Sequence, residues 1–340
     1  MPGSRGRYLA SQLCSPMMAG MSRTSALAAS IIATCLSTQA ACKDNRPTPV
    51  ASDEQVAARA QVGQAARPAV ELTNPGAEPR RQLRYRLVEG AEDVMNMQIG
   101  LAIETTADGV PLPVPETPPV LMQMRLAITE LKGPTEARYR FVLESVEVED
   151  GPASTPGAGA HMRQALAGAA GMSGHAMVDD RGFNWDAQIN PPEQLTPEIQ
   201  HMMESASRGM DQVSAPLPEQ PVGVGATWSL TQDIEQGGVK LTQVTHFELI
   251  ELDDDTGTLR TRTTQEAAPQ ALALAGMPPG SAELAGFKST GSGRIHFDLN
   301  RLVPRSTLAM RSEYEVRMQA EGEPSSVSTA IEMRIEVAPH

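Results

Sequence analysis

The chain reads as mainly β, an α+β protein built on a long antiparallel curved sheet, or on two related sheets, each covered by a helix. Three observations give that class. Apolar residues recur at every second position over long runs, as in Met95, Met97, Ile99, Leu101 and Ile103, the period of strands with one face on a core and one in water. Hairpin chemistry separates several runs, at Asp179-Asp180-Arg181-Gly182, Gln236-Gly237-Gly238 and Asp254-Asp255-Thr256-Gly257. Helical periodicity is confined to short stretches.

The first element is an address. Arg23 precedes an apolar run from Ala26 to Leu36, and Ala40 and Ala41 stand before Cys42. Charge, short apolar core and small residues in that order predict a signal peptide over 1–42. The run is too short to cross a bilayer, which takes about 20 residues. Met17, Met18 and Met21 are alternative starts, and Met21 gives the most compact arrangement. Gln39-Ala40-Ala41-Cys42 resembles the lipobox of bacterial lipoproteins, departing from it at Gln39, where an aliphatic residue is the rule. The resemblance implies acylation of Cys42, and so an anchor in the membrane through palmitate-like chains. Lys43 replaces the aspartate that retains such proteins at the inner membrane, which points to an outer membrane location facing the periplasm. Cleavage by the ordinary signal peptidase, releasing a soluble protein, is the alternative. Cys14 and Cys35 leave with the signal, so Cys42 is alone and forms no internal disulfide or thiolate cluster.

Residues 43–79, rich in Pro, Ala, Gln and charge, read as a disordered tether, with order beginning near Arg81. A first β-rich half is expected over 80–215. Its apolar faces are Leu83, Tyr85 and Leu87; Met95 to Ile103; Met122, Met124, Leu126 and Ile128; then Tyr139, Phe141 and Leu143, with a phase shift to Val146 and Val148 that predicts a β-bulge. A second half, 216–340, carries Trp228 and Leu230, Leu241 to Leu249, Leu259, Ile295 to Leu299, Leu308 to Met318 and Ile331 to Val337. Three helices are expected. His161 to Ala170 is Ala-rich. Thr196-Pro197-Glu198 starts a second, over 196–212, with Ile199, Met202, Met203, Ala206 and Met210 on one stripe. Pro269 to Ala275 is the third. Gly174-His175-Ala176-Met177 and Gly293-Arg294-Ile295-His296 occupy similar places in the two halves, the mark of a diverged duplication.

The net charge is −13, and residues 1–42 hold arginines but no acid, so the exported chain is more acidic still. Such a surface repels phosphate backbones and argues against nucleic-acid binding. Aromatics make only 3% of the chain against 18 methionines, which also argues against base-stacking platforms.

Candidate chemistry is sparse. Met95-Asn96-Met97 and Met122-Gln123-Met124 place thioethers two apart, as a soft-metal site would, yet that spacing also continues the apolar faces of Ile99 and Leu126. Core packing is the simpler reading. The histidines show no metal-ligand spacing, and His175 with His296 is the single pair worth following. Asp253-Asp254-Asp255-Thr256-Gly257 begins like a calcium loop but has Thr264 where the bidentate glutamate belongs. Gly291-Ser292-Gly293 lacks nucleophile-elbow spacing, and Gly223-Val224-Gly225 lacks the lysine and helix of a phosphate loop. No metal, cofactor or catalytic constellation is expected.

The most distinctive local pattern is Pro221-Val222-Gly223-Val224-Gly225-Ala226-Thr227-Trp228. It resembles the Pro-Val-x-x-Gly-x-x-Trp motif of a family of uncharacterised exported bacterial lipoproteins, a resemblance spanning Arg81 to Val337 that implies no activity. Locally, Gly225 suits a tight turn and Trp228 anchors the strand that follows. A curved sheet under a helix also resembles the half-barrels of lipoprotein carriers, an analogy of fold alone. Two functions follow as expectations. One is a non-enzymatic envelope module acting through contacts with an envelope protein. The other is a periplasmic carrier of a lipid or other apolar ligand, held under helix 196–212 by Met202, Met203, Met210, Met122 and Met124.

Overall fold

Long runs of extended chain carry amides that only neighbouring strands satisfy, so period-two segments must find partners. The structure, a computed structural model, describes residues 68–114, 116–149, 158–190, 216–236, 238–273, 278, 280–319 and 324–340. The first strands are β1 (Val70–Asn74), β2 (Glu92–Ala107), β3 (Val110–Leu112), β4 (Thr117–Leu131) and β5 (Glu136–Val148). After helix α1 (Ala158–Leu166) come β6 (Ser173–Asp179) and β7 (Asn184–Asn190). Then follow β8 (Thr227–Gln236), β9 (Val239–Asp253), β10 (Thr256–Ala267), β11 (Gln270–Ala271), β12 (Ala282–Asp298), β13 (Arg305–Gln319) and β14 (Pro324–Pro339).

All fourteen strands of the described residues join one antiparallel curved sheet in the order β1-β8-β9-β10-β12-β13-β14-β2-β4-β5-β6-β7, with β3 beside β2 and β11 beside β12. Two meanders, β2 to β7 and β8 to β14, meet where β14 pairs with β2 through Ile331↔Ile103, Met333↔Leu101 and Ile335↔Ile99. The two sheets allowed by the sequence are therefore one. The strand carrying Gly174 to Met177 lies beside edge strand β7, whereas Gly293 to His296 sits within the sheet in β12. The two similar segments thus take different places.

The phase shift in β5 is a bulge. Gln123 faces Ser145 but Met124 faces Leu143, leaving Glu144 over and turning Val146 back to the face of Met122. The hairpin signals hold turns: Gly182 and Gly238 take positive φ between β6 and β7 and between β8 and β9, and Asp254 does so between β9 and β10. Such φ values suit Gly and, less well, Asp.

Four expectations are corrected. Val70–Asn74, assigned to the tether, is a strand on β8, pairing Val70↔Leu230 and Leu72↔Trp228; its alternating Val and Leu supply the half-buried face that the Pro-rich surroundings obscure. Leu83 to Leu87 alternates without joining the ladder. It crosses the end of the sheet, Tyr85 donating its amide to Asp180 and Arg86 to Leu299, while Leu83 is fully buried. The expected helix from Pro269 contains β11 instead, paired Gln270↔Leu284. There Gln270 accepts the Lys240 amide and donates to the Lys240 carbonyl, tying the segment to β9. Finally, no helix covers each half among the described residues. The one α-helix among the described residues is α1, which packs on β4 and β5, and the 196–212 segment lies outside them.

The core sits at the end of the sheet where β2 begins and β12 ends. One cluster joins Leu83, Phe183, Leu217, Val222, Trp228, Leu230, Phe247, Leu249, Leu259 and Phe297. A second joins Ile128, Ala137, Tyr139, Phe141, Ala176 and Val178. Phe183 and Leu217 belong to the first half by sequence or adjoin it, yet they pack among strands of the second.

Candidate functional site

The Trp228 segment works as a structural lock. Trp228 stacks on Phe247 with ring centroids 5.6 Å apart, and its indole N–H donates to the Pro216 carbonyl at 3.0 Å. Upstream, Val222 exchanges backbone hydrogen bonds with Arg81. The chain from Pro75 to Arg81 crosses it so closely that a Cβ on Gly223 would strike the Ala77 carbonyl, and one on Gly76 the Gly223 carbonyl. Gly225 turns with φ 82°. Its glycines thus serve backbone crossing and turning rather than a ligand.

The register assembles a surface that neither core cluster contains. Across the middle strands, on the face that carries Trp228 and Phe141, lie three rows. They are Ser306-Val337-Met97-Met122-Val146, Leu308-Ile335-Ile99-Val120-Val148 and Met310-Met333-Leu101. Val148 aside, these residues are half-buried, unlike the clusters on either side. Directly opposed side chains in antiparallel pairs share a face, so the rows make a continuous band of Met, Ile, Leu and Val, with Ser306 at one end. Each strand contributes only alternate residues, which is why no short motif announces it.

Beside the band the same face turns polar. Gln265 donates to Gln243 at 2.7 Å, Gln243 to Gln232 at 3.5 Å, and Ser312 to Ser289 at 2.8 Å. The Thr245 and Thr263 hydroxyls lie 3.2 Å apart. Thr263, Gln265 and Ser289 are buried, so these lateral bonds satisfy groups removed from water. From the sequence only Leu259 marked β10, and this lane was missed; the signal available was Thr and Gln on the alternate positions that face inward, Thr261, Thr263 and Gln265.

Of the expected pocket residues, Met122 and Met124 lie in β4, opposite Met97 and Met95 and facing Val146 and Leu143. Met202, Met203 and Met210 lie outside the described residues, as does Cys42. His175 and His296 are not brought together: His175 lies in β6, paired with Arg140 and Gln188, whereas His296 lies in β12, 3.2 Å from the Thr258 hydroxyl. The acidic turn at 253–257 engages Arg86, which bonds Asp255 at 2.9 Å, and Asn300. Among the described residues no three His, Cys, Asp or Glu side chains group to hold a metal ion.

Two polar features escaped the sequence. Asp93 is buried at the start of β2 and binds Arg301. Asp180, in the β6–β7 turn, lies 3.7 Å from Arg84. Burial raises its carboxyl above the ordinary range, opposed by the Arg84 charge, and burial likewise lowers the Arg84 guanidinium. Both ties link residues far apart in sequence.

A surface cleft of about 460 Å³ lies over β10, β12, β13 and β14, lined by arginine, serine and threonine together with Gly291, Ala309, Met310, Met333 and Glu332. A smaller cleft, about 210 Å³, adjoins His296, Asp298 and Arg305. No helix among the described residues is long and apolar enough to cross a membrane. Comparison with protein-family models and with curated proteins finds no match to either.

Proposed function

We propose that the chain is an exported bacterial envelope protein, anchored by acyl chains on Cys42, that acts by binding and carries out no catalysis. The observation that carries this reading is the half-buried apolar band spanning β13, β14, β2 and β4 between two filled cores. A band of that composition is expected to bury itself against something apolar. Methionine at Met97, Met122, Met310 and Met333 makes it adaptable, since thioether side chains repack around varied shapes. A lipid acyl chain or comparable apolar ligand is the occupant this chemistry favours. An envelope protein is the second reading, favoured because the two clefts described above are open to solvent rather than enclosed. The export signal, the lipobox-like Gln39-Ala40-Ala41-Cys42 and the resemblance to exported lipoproteins support the location.

Native mass spectrometry of the purified chain tests the occupant. A co-purified lipid mass in the parent chain that disappears in Met97→Glu/Met333→Glu supports the carrier. Its absence from the parent leaves contact with an envelope protein as the function of the band. Fractionation tests the anchor: Cys42→Ser is expected to move the protein from membrane to soluble fraction, and unchanged fractionation refutes acylation there.

A further inference from the structure

On the sheet face opposite the apolar band, the larger cleft is built from two adjacent rows of outward side chains. One row reads Arg262-Ser292-Ala309-Arg334 and the other Thr264-Thr290-Arg311-Glu332, across β10, β12, β13 and β14. In the first row small residues form the floor and arginines stand at both ends. Three strand spacings separate those ends, about 14 Å, a span that two arginine side chains leaning inward close over one bound group.

The charges around the trough are unequally engaged. Arg311 is held by Glu313 at 2.9 Å and by Glu332 at 2.8 Å, and Arg260 by Glu248 at 2.8 Å. Arg262, Arg334 and Arg294, which lies one row away opposite Thr307, have no side-chain ion pair among the described residues. Glu332 is occupied by Arg311, and Glu336 flanks Arg334 on its own strand and face. Free guanidinium forks above serine and threonine hydroxyls, in a chain of net charge −13, make a local exception to an acidic surface.

We propose that this trough binds the phosphate of an anionic ligand, gripped between Arg262 and Arg334 with the Ser292 and Thr290 hydroxyls beneath it. Planar guanidinium forks match tetrahedral oxyanions through paired charge-assisted hydrogen bonds. The phosphate could belong to a lipid headgroup or to a soluble ligand, and the chemistry of the grip is the same. The site lies on the other face from the apolar band, so its failure leaves the function proposed above intact.

The test uses the full chain carrying Cys42→Ser, so that no acyl chain contributes, at low ionic strength. Pyrophosphate is titrated calorimetrically, and sedimentation is followed with vesicles of phosphatidylglycerol in phosphatidylcholine and with pure phosphatidylcholine. Binding to pyrophosphate, to the anionic vesicles or to both is expected, weakening with salt. Arg262→Gln/Arg334→Gln is expected to weaken it about tenfold or more, the scale of a lost charge-assisted hydrogen bond. Arg317→Gln, toward the other end of β13, is the control and should bind as the parent does. Glu336→Gln should tighten binding. Arg262→Lys/Arg334→Lys keeps the charge and guards against loss of fold, with intermediate affinity expected. Response to pyrophosphate identifies a soluble phosphate, and response to anionic vesicles alone a headgroup. No binding to either probe, equal binding by the double glutamine variant, or equal loss in the control overturns the proposal.

Discussion

Asp93 and Arg301, 208 residues apart, clamp the start of β2 to the turn between β12 and β13. Arg301 donates from Nε and Nη2 to Asp93 Oδ1, at 2.9 and 2.8 Å. Asp93 Oδ2 takes the amides of Leu302 at 2.8 Å and Val303 at 3.4 Å. One carboxylate thereby fixes the turn and aligns β2 at the end of the sheet where both cores lie. Asp93→Ala would orphan those amides and the guanidinium, costing about 1–3 kcal/mol of stability. Asp93→Asn keeps one acceptor and should lose less. Equal denaturation midpoints for the parent and Asp93→Ala would remove the clamp from the account.

The Trp228 lock should be the most sensitive part of the fold. Trp228→Ala empties a fully packed site and removes the stack on Phe247, so about 3–5 kcal/mol is expected to go. Gly223→Ala adds a single methyl yet meets the Ala77 carbonyl, so it too should destabilise, by about 1–3 kcal/mol. Val224→Ala is the contrast, since Val224 is 45% exposed. Chemical denaturation of the three variants orders them, and a Gly223→Ala as stable as the parent would show that the crossing relaxes freely.

Asp180 carries a pH signature. Its carboxyl is raised by burial, so the native state holds the proton more tightly than the unfolded chain. The group therefore costs stability at neutral pH, and that cost is relieved as pH falls through the raised native value toward 3.8. Arg84 is the nearest charge opposing the shift. Arg84→Met should raise the Asp180 value further and widen that window. Arg84 also donates to the Pro218 and Glu219 carbonyls, so the readout is the carboxyl titration by NMR rather than stability alone. An Asp180 midpoint that stays put or falls in the variant contradicts the assignment.

The apolar band and the cores should respond oppositely to charge. Leu101→Glu or Met333→Glu falls on half-buried positions and should abolish binding of an apolar fluorescent probe with small loss of stability. Leu249→Glu, fully buried, should unfold the chain through an unpaired buried charge. If Leu101→Glu and Met333→Glu bind the probe as the parent does, the band is not the apolar site.

Much of the secondary structure was legible in the residues. The runs through Met95 to Ile103, Leu308 to Met318 and Ile331 to Val337 became β2, β13 and β14, and the phase shift before Val146 became a bulge. These are local patterns, set by which face of an extended segment is apolar. Leu83 to Leu87 shows the limit: alternation announced a buried face but not whether a strand or a backbone turn would cover the amides. The same limit hid the site. Neither the apolar band nor the arginine trough has a contiguous motif, because each takes alternate residues from several strands.

By itself the sequence determined extended chain, the positions of several turns and which side chains seek an interior, since each depends on neighbours a few residues away. Only the tertiary structure decided that β14 lies against β2, that Val70–Asn74 closes on β8 and that Asp93 meets Arg301. Backbone hydrogen bonds are alike for every strand, so partner choice depends on how the whole sheet buries its faces, a property no single segment contains.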